Sequence, residues 1–394
     1  MWYGPLGEAE HARGYARVLA HSFARTEAET GEWVARLARA EPRVGVTEGG
    51  HVAAGLVLYP MGQFFGGRSV PMWGVAAVGV APEARGAGVA RELMRRAVLE
   101  LFERGVALSA LYPATQALYR RVGYEQAGSR FELRVPLARL DRGAGEVGAR
   151  ALTDEDRAAI AAVYAQCARA REGALDRSEL MWERVLSPPP RREPAHGFVF
   201  PGPGGPGGIE GYALLTQSRL ENGHHEVHVS DLAFVTAGAG ARLVRFLSGY
   251  GTLGTDLVWH CGPGEPLLML LGEQRYSVKL HHYWMLRVTH VRAALEARGY
   301  PAGLSGRLTL RVRDEEAPGN AGTVNLEVEQ CVGRCGARGG VVLEVGARGL
   351  AALYAGFATP ESLARAGLLA GEAGALGLAR AMFAGAAPGM GDFF

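Results

Sequence analysis

The stretch VGVAPEARGAGVARELMRRAVLE, residues 78–100, decides the fold. Its β-branched residues end at Pro82, small residues follow Arg85, and apolar residues such as Leu93 and Ala97 then recur at helical spacing. This order predicts a strand, a glycine turn and the start of a helix. The first N–H groups of a helix have no intrahelical partners, and glycines let a ligand come close to them. The stretch therefore predicts a site for a phosphorylated cofactor.

The residues around this turn predict an open α/β sheet. Strand-like runs at 44–48, 51–60 and 70–82 precede the turn. The helix after the turn is followed by Gly105, a residue suited to a helix C-terminus, and then by a further strand at 106–113. The turn thus lies at the C-terminal end of a strand, which is where open α/β sheets bind their ligands.

Other phosphate-binding loops fit the turn less well. A Walker-type loop needs a lysine after its last glycine, and the single lysine of this chain, Lys279, lies far away. The dinucleotide fingerprint would use Gly86 and Gly88, but it meets Arg91 where a small residue must let helix and strand pack closely. The ordinary alternative is a helix N-terminus that uses small residues only for a tight turn.

Two motifs resemble those of the GCN5-related N-acetyltransferases (GNAT enzymes). Arg85-x-x-Gly88-x-Ala90 resembles their pyrophosphate loop, and ALYRRVGYEQAG at 117–128 resembles the segment after their fifth strand. The resemblance implies that Tyr119 protonates the departing thiolate, and a phenol with a pKa of about 10 is a suitable donor. The alternative for Tyr119 is a half-buried aromatic residue on a short helix. Together the two motifs predict that the chain binds acetyl-CoA.

A later stretch repeats the first layout. VHVSDLAFVTAGAGARLVRFL at 227–247 again predicts a strand, a Gly-Ala-Gly turn and a helix, with Gly238 and Gly240 in the places of the first two glycines. Ala237 replaces the arginine of the first motif, Arg242 replaces its small residue, and no tyrosine motif follows. This pattern predicts a duplicated fold whose second copy has lost its cofactor.

The rest of the chain predicts a third domain. The segment MLRVTHVRAALEARGY at 285–300 precedes alternating strand patterns and apolar helices. With the duplication, this order resembles the Eis (enhanced intracellular survival) family, whose third domain is similar to sterol carrier proteins. The resemblance implies tandem GNAT (acyl-CoA N-acyltransferase) domains, of mixed α/β and α+β class, followed by a sterol-carrier-protein-like domain. We predict a catalytic domain at 1–145, a degenerate copy at 146–287 and the third domain at 288–394.

The family resemblance also implies which residues bind and react. Tyr119 corresponds to the general acid, and the general base corresponds to the chain's terminal carboxylate, here on Phe394; the ordinary alternative is a frayed glycine-rich end. Acetyl-CoA is expected to contact the strand residues Val78, Gly79 and Val80, the loop residues Arg85, Gly86, Ala87, Gly88, Val89, Ala90 and Arg91, and the two positions Ala114 and Thr115.

The acceptor is expected to be a primary amine, such as an aminoglycoside, a polyamine or a lysine side chain. One departure from the family bears on its choice, because Arg25 stands where an acidic residue lines the family's substrate pocket, with Glu27 and Glu29 only nearby. The resemblance further implies a hexamer. The alternative function is a non-catalytic acyl-CoA-binding or lipid-binding protein that keeps the fold.

Composition bounds the remaining possibilities. The formal net charge of +2 predicts neither a nucleic-acid nor an anionic-membrane partner. Four sparse cysteines and the lack of a secretion signal predict a reduced, cytoplasmic protein. The sequence has no uninterrupted run of about 18 apolar residues, so no membrane span is predicted. HHEVH at 224–228 and CVGRC at 331–335 lack the spacing of metal motifs, so no metal is expected; CVGRC is interpreted as a solvated turn.

Overall fold

The computed structural model describes residues 1–140, 146–189 and 193–394. The chain divides into two compact units, one of residues 1–128, 283–386 and 394 and the other of residues 129–282 and 387–393. The domain boundary predicted at 145/146 adjoins residues 141–145, which lie outside the described residues, as do residues 190–192 in the predicted Pro/Gly-rich loops. The boundaries of the three domains stay predictions.

In the first GNAT-like region, the first five strands lie side by side in the order in which they occur in the chain. Its strands are β1 (Trp2–Pro5), β2 (Glu41–Val46), β3 (Val52–Phe65), β4 (Arg68–Val80), β5 (Leu108–Leu111) and β6 (Glu125–Pro136), and its helices are α1 (Ala9–Phe23), α2 (Glu27–Ala35), α3 (Val89–Glu103) and α4 (Gln116–Arg120). Strands β1 to β4 pair antiparallel in sequence order, and β4 pairs parallel with β5. Helix α3 makes the crossover that such a parallel pair requires. Its predicted apolar line of Leu93, Ala97 and Leu101 is fully buried.

The second region repeats this plan. Its strands are β7 (Arg150–Ala151), β8 (Leu175–Asp176), β9 (His196–Pro201), β10 (Ile209–Arg219), β11 (His225–Phe234), β12 (Gly254–Cys261) and β13 (Ser277–Val288), and its helices are α5 (Arg157–Arg169), α6 (Glu179–Leu186) and α7 (Ala237–Ser248). In the second unit β9, β10 and β11 pair antiparallel, β11 pairs parallel with β12, and β12 pairs with β6. Helix α7 stands where α3 stands in the first region, which confirms the predicted duplication.

The third region belongs to the first unit. Its helices are α8 (Val291–Ala297), α9 (Ala347–Ala355), α10 (Pro360–Arg365) and α11 (Ala373–Met382), and its strands are β14 (Gly306–Arg313), β15 (Gly322–Glu329), β16 (Val332–Gly336), β17 (Val341–Gly346) and β18 (Leu369–Gly371). They form a separate sheet in the order β16-β15-β14-β17-β18. The prediction of a solvated turn at 331–335 is wrong. The reversal is confined to Gln330 and Cys331, whose φ values are 49° and 66°, and β16 follows at once.

The described helices are short or carry charged residues. None of them is both long enough and apolar enough to cross a membrane.

Candidate active site

Strand β4 carries a bulge near its C-terminal end. Its register with β3 shifts between the pairs Gly55–Gly79 and Val57–Ala76, and Ala77 has a φ of 50°. A residue other than glycine in this conformation is strained and needs support from its surroundings. The buried Tyr15 on α1 supplies that support, since its hydroxyl donates a hydrogen bond to the Ala77 carbonyl at 2.8 Å.

Strands β4 and β5 separate just before the bulge. They pair from Met72–Leu108 to Val75–Leu111 and at no later position among the described residues. The Ala81 amide donates to β3, at the Ala53 carbonyl. Because successive amides of a strand point to opposite edges, the amides of Val80 and Val78 point to the edge that β5 has left. This edge is able to pair with an extended ligand as if it were a further strand.

The turn between β4 and α3 leaves a helix N-terminus open. Gly86 and Gly88 have φ values of 81° and 78°, and a Cβ atom on either would meet nothing within 4 Å. Gly88 is the N-cap residue of α3, and no side chain caps the helix. The first N–H groups of α3 therefore lack a side-chain cap, and uncapped N–H groups at a helix start are the arrangement that binds phosphate groups.

Two arginines flank this turn. Arg85 is exposed, and its Nε donates to the Val80 carbonyl at 3.3 Å, so the guanidinium lies over the end of β4. Arg91 is 54% exposed and pairs with Glu316 at 2.5 Å. The remaining loop residues predicted from the sequence, Ala87 to Ala90, are exposed or half-buried in the turn and in the first helical turn of α3.

Tyr119 is a buried phenol without a hydrogen-bond partner among the described residues. It lies on α4, its side chain is 5% exposed, and its ring packs edge-on against Tyr124. Burial raises the pKa of Tyr119 to about 12, so the phenol keeps its proton at neutral pH. Tyr124 differs because its hydroxyl lies 2.7 Å from the Ser109 hydroxyl and is thereby satisfied.

Ala114 and Thr115 lie in the loop between β5 and α4. Both are exposed, and Thr115 is the N-cap residue of α4 without a capping hydrogen bond from its side chain. They precede Tyr119 in the chain and lie beyond the last paired residue of β5, Leu111.

The side chain of Phe394 packs where β4 and β5 begin to separate. A Cβ atom on Gly74 would lie 2.6 Å from the Phe394 ring, and Gly74 is the residue before the last paired position of β4. The ring also meets Tyr112 edge-on, at 5.8 Å between centroids. Phe394 is 7% exposed, so its side chain is packed and not frayed.

The segment before Phe394 is anchored in the second unit. The Ser129 amide donates to the Pro388 carbonyl at 3.1 Å, and the Met390 amide donates back to the Ser129 carbonyl at 3.2 Å. Arg130 Nε donates to the Gly391 carbonyl at 3.0 Å. These bonds hold the backbone of residues 388–391 much as pairing with a strand would.

A buried ionic cluster fixes Asp392, and no sequence motif predicted it. Arg177 Nε donates to Asp392 at 2.9 Å, while the same guanidinium binds both carboxylate oxygens of Asp231 at 2.5 and 2.9 Å. Tyr212 donates to Asp231 at 2.5 Å, and Tyr164 donates to Asp392 at 3.3 Å. Burial raises the pKa of Asp392, while Arg177 opposes that change. The one available indication was that Asp392 is the only charged residue of GAAPGMGDFF.

The glycines of the second copy lie in a helix, which corrects the predicted turn. Helix α7 begins at Ala237, so Gly238 and Gly240 belong to its first turn. The reason is Thr236, whose hydroxyl accepts a hydrogen bond from the Ala239 amide at 3.1 Å and caps the helix. Gly240 is buried, and a Cβ atom there would lie 2.6 Å from Leu270.

A carboxylate also lies beside the start of α7. Glu210 accepts hydrogen bonds from the Gly204 amide at 2.9 Å, from the Thr236 hydroxyl at 3.0 Å and from Arg242 at 2.8 Å. The Gly204 amide, helped by the other two donors, lowers the pKa of Glu210 and keeps it charged at neutral pH. A fixed negative charge at this helix start disfavours a phosphate.

The connection between α1 and α2 holds the residues that bear on acceptor choice. Glu29 accepts hydrogen bonds from Thr26 in a capping box and lies 3.9 Å from Arg25. Glu27 pairs with Arg17 at 3.5 Å. Both carboxylates near Arg25 are thus engaged locally.

Glu226 and His228 of the HHEVH stretch are engaged with neighbouring side chains. Glu226 pairs with Arg134, and His228 Nε2 lies 2.7 Å from the Ser218 hydroxyl.

Comparison with protein families divides the chain into three matches. Residues 6–127 and residues 173–288 each match an acetyltransferase (GNAT) domain, and residues 291–391 match a sterol carrier protein domain.

Individual relatives agree with this division. A crystal structure of a GCN5-related N-acetyltransferase from Anabaena variabilis is 32% identical, covers 100% of both chains and superimposes with a TM-score of 0.90. N-acetyltransferase Eis of Mycobacterium tuberculosis is 29% identical over 59% of this chain and 58% of its own length. An uncharacterized N-acetyltransferase of Streptomyces avermitilis is 29% identical over 77% of this chain and 76% of its own. The chain thus matches little more than half the length of the Eis relatives.

Proposed function

Because this chain belongs to the Eis-like GCN5-related N-acetyltransferases, we propose that it transfers the acetyl group of acetyl-CoA directly to a primary amine. The observation that carries the proposal is the opened edge of β4, which leads into the uncapped start of α3. The first cysteine of the chain is Cys167, so the first GNAT-like region has no thiol to carry the acetyl group. This absence supports direct transfer with both substrates bound.

The chain's own backbone would hold the cofactor. The amides of Val78 and Val80 would align the pantetheine arm along the edge of β4, with Gly79 between them. The N–H groups from Gly86 to Arg91 would bind the diphosphate, and Arg85 would add a positive charge. Ala114 and Thr115 would lie along the cofactor on the β5 side. When bound, acetyl-CoA supplies an activated thioester carbonyl.

Tyr119 acts as the general acid in this proposal. The amine nitrogen bonds to the carbonyl carbon, the carbon–sulfur bond breaks, and Tyr119 gives its proton to the departing sulfur. Its unpaired hydroxyl and its pKa of about 12 support this role, since the proton is present throughout the physiological pH range. Burial that raises the pKa of the phenol also raises that of a thiol in the same pocket, so the transfer stays feasible.

Phe394 supplies the general base, because its terminal carboxylate takes the proton that the amine nitrogen loses. A carboxylate with a pKa of about 3.5 in water is a weak base for an ammonium group, and desolvation raises that pKa. The packing of the Phe394 ring against Gly74 and Tyr112 supports the role, because it holds the end of the chain beside the separating strands.

The acceptor is an aminoglycoside-like amine, a polyamine or a lysine side chain. Arg25 stands where the resembling family has an acidic residue in its substrate pocket, so the choice among these acceptors is tested with a panel of amines. We further propose a homohexamer in the cytoplasm, with acetyl-CoA bound to the first GNAT-like copy alone.

Release of free CoA thiol tests the function. The full chain is incubated with acetyl-CoA and a panel of aminoglycosides, polyamines and lysine peptides, and thiol release is followed with and without each amine. Amine-dependent thiol release is expected. Acetyl-CoA binding by calorimetry without turnover on any amine would contradict the proposal and support the non-catalytic acyl-CoA-binding alternative.

A further inference from the structure

Three potential metal ligands from three strands meet in the second unit. Glu132 on β6 and His260 on β12 are direct partners across an antiparallel ladder, and His281 lies on β13. One carboxylate oxygen and one ring nitrogen of each histidine all lie within 4.8 Å of one another. The three residues are far apart in the sequence, so no spacing motif indicated them.

His260 offers a nitrogen that has no other use among the described residues. Its Nε2 is buried without a hydrogen-bond partner and lies 3.9 Å from the Glu132 carboxylate. A buried polar atom without a partner is unfavourable, and native structures rarely leave one. A bound cation would supply the missing partner.

An imidazole binds a metal ion through a ring nitrogen of its neutral form. His282 Nδ1 lies 2.7 Å from His281 Nδ1 and so orients the third ligand.

We propose that Glu132, His260 and His281 bind a divalent transition-metal ion of the zinc type. Two imidazoles and one carboxylate form a common zinc donor set that leaves one position for water. Bonds of about 2.0–2.2 Å place the ligand atoms roughly 3.5 Å apart, so the ligands must approach by about 1 Å. His281 is the exposed member of the three, so its ring is expected to make most of that movement.

Arg130 opposes the ion. Its guanidinium lies 3.3 Å from His281 Nδ1, and its Nε holds the Gly391 carbonyl. Its positive charge therefore repels a cation at this site. This competition sets the metal affinity. Replacing Arg130 with a neutral residue therefore raises the metal affinity.

Zinc calorimetry on the untagged, chelator-treated full chain tests the proposal, which does not depend on acetyl transfer. One Zn²⁺ per chain is expected. His281→Ala, on an exposed strand, and Glu132→Gln each weaken binding by at least about tenfold. His228→Ala, a histidine of the HHEVH stretch, leaves binding unchanged. Cys335→Ser also leaves it unchanged and excludes a site that uses the Cys335 thiol.

Arg130→Gln is the most specific variant, and it tightens zinc binding. Circular dichroism confirms that each variant is folded. Absence of zinc binding by the native chain would overturn the proposal. Zinc affinity equal to that of the native chain in the His281→Ala and Glu132→Gln variants would also overturn it. An affinity that Arg130→Gln leaves unchanged would contradict the competition.

Discussion

The starts of α3 and α7 share a glycine pattern and have opposite capping. Gly88 begins α3 in a left-handed conformation with no side-chain cap, so the first amides of the helix are open. Thr236 caps α7, and the Glu210 carboxylate lies beside it. A helix N-terminus binds phosphate only while its amides are unsatisfied. Under the proposed function, competence for the cofactor resides in the helix amides that the first copy leaves without a side-chain cap.

The two parallel strand pairs, β4 with β5 and β11 with β12, differ beyond their last paired residues in the same way as the two helix starts. In the second copy, β11 and β12 stop pairing at Val229–Trp259, and the register with β10 shifts at the next residue. That residue, Ser230, donates to the Val185 carbonyl at 2.8 Å, and Asp231 joins the buried cluster of Arg177 and Asp392. Groups of the protein itself thus occupy β11 beyond its last pair with β12, while the edge of β4 beyond Val75 is open.

Moving the terminal carboxylate should have the largest effect on catalysis. Deleting Phe394, or adding a short C-terminal tag, displaces the proposed base by a residue or more, so we expect nearly all turnover to be lost. Phe394→Ala keeps the carboxylate and is the matched control, with measurable activity. Acetyl-CoA affinity, measured by calorimetry, should be unchanged in all of them. Full activity of the tagged chain would exclude this role.

Tyr119→Phe should lower kcat by roughly 10²–10⁴-fold, the range typical of a positioned acid. Ring packing and acetyl-CoA affinity are retained. Because burial raises the pKa of Tyr119 to about 12, the native kcat should show no decline from its ionisation near pH 10, where an exposed tyrosine would lose its proton. A native pH profile that falls near pH 10, with that fall absent in the Phe variant, would contradict the assigned pKa.

Asp392→Asn should lower kcat by about tenfold. The change removes the charge that Arg177 holds and loosens the segment that ends at Phe394, as expected for a positioning residue. A merely structural role would lower thermal stability and leave kcat per folded molecule unchanged. Asp392→Glu should restore part of the rate, and a rate equal to that of the native chain in the Asn variant would refute the positioning role.

Tyr15→Phe should have the smallest effect, a few-fold loss of acetyl-CoA affinity. It removes the hydrogen bond that supports the strained Ala77 carbonyl, worth about 1 kcal/mol, and so loosens the bulge of β4. Ser230→Ala makes the matching change at the bulge of the second copy and should leave affinity unchanged. Equal effects of the two substitutions would break the comparison.

Local patterns predicted much of the first copy. The apolar line of α3 and the alternation of the strands are periodicities that burial enforces, so Leu93, Ala97 and Leu101 are buried as expected. Gly86 and Gly88 were found because positive φ favours glycine. The buried position of Tyr119 is compatible with its motif, and its chemical role stays a prediction.

Features that depend on distant residues were beyond the sequence. Thr236 and Glu210 decide the start of α7, and a Gly-Ala-Gly string is compatible with either a turn or a helix. The pairing of Asp392 with Arg177 joins residues that are remote in the chain. No periodicity or motif encodes such contacts, which arise only once the strands have assembled.

Calorimetric titration of acetyl-CoA tests the central claim most directly, because it counts the sites and assigns them. The account predicts one site per chain, which Gly88→Glu abolishes by forcing a charged side chain onto a left-handed position of the diphosphate loop. Gly238→Glu is the matched control at an exposed position of the first turn of α7, where it leaves the affinity unchanged. Two sites per chain, or equal losses from both substitutions, would contradict the claim that only the first copy binds the cofactor.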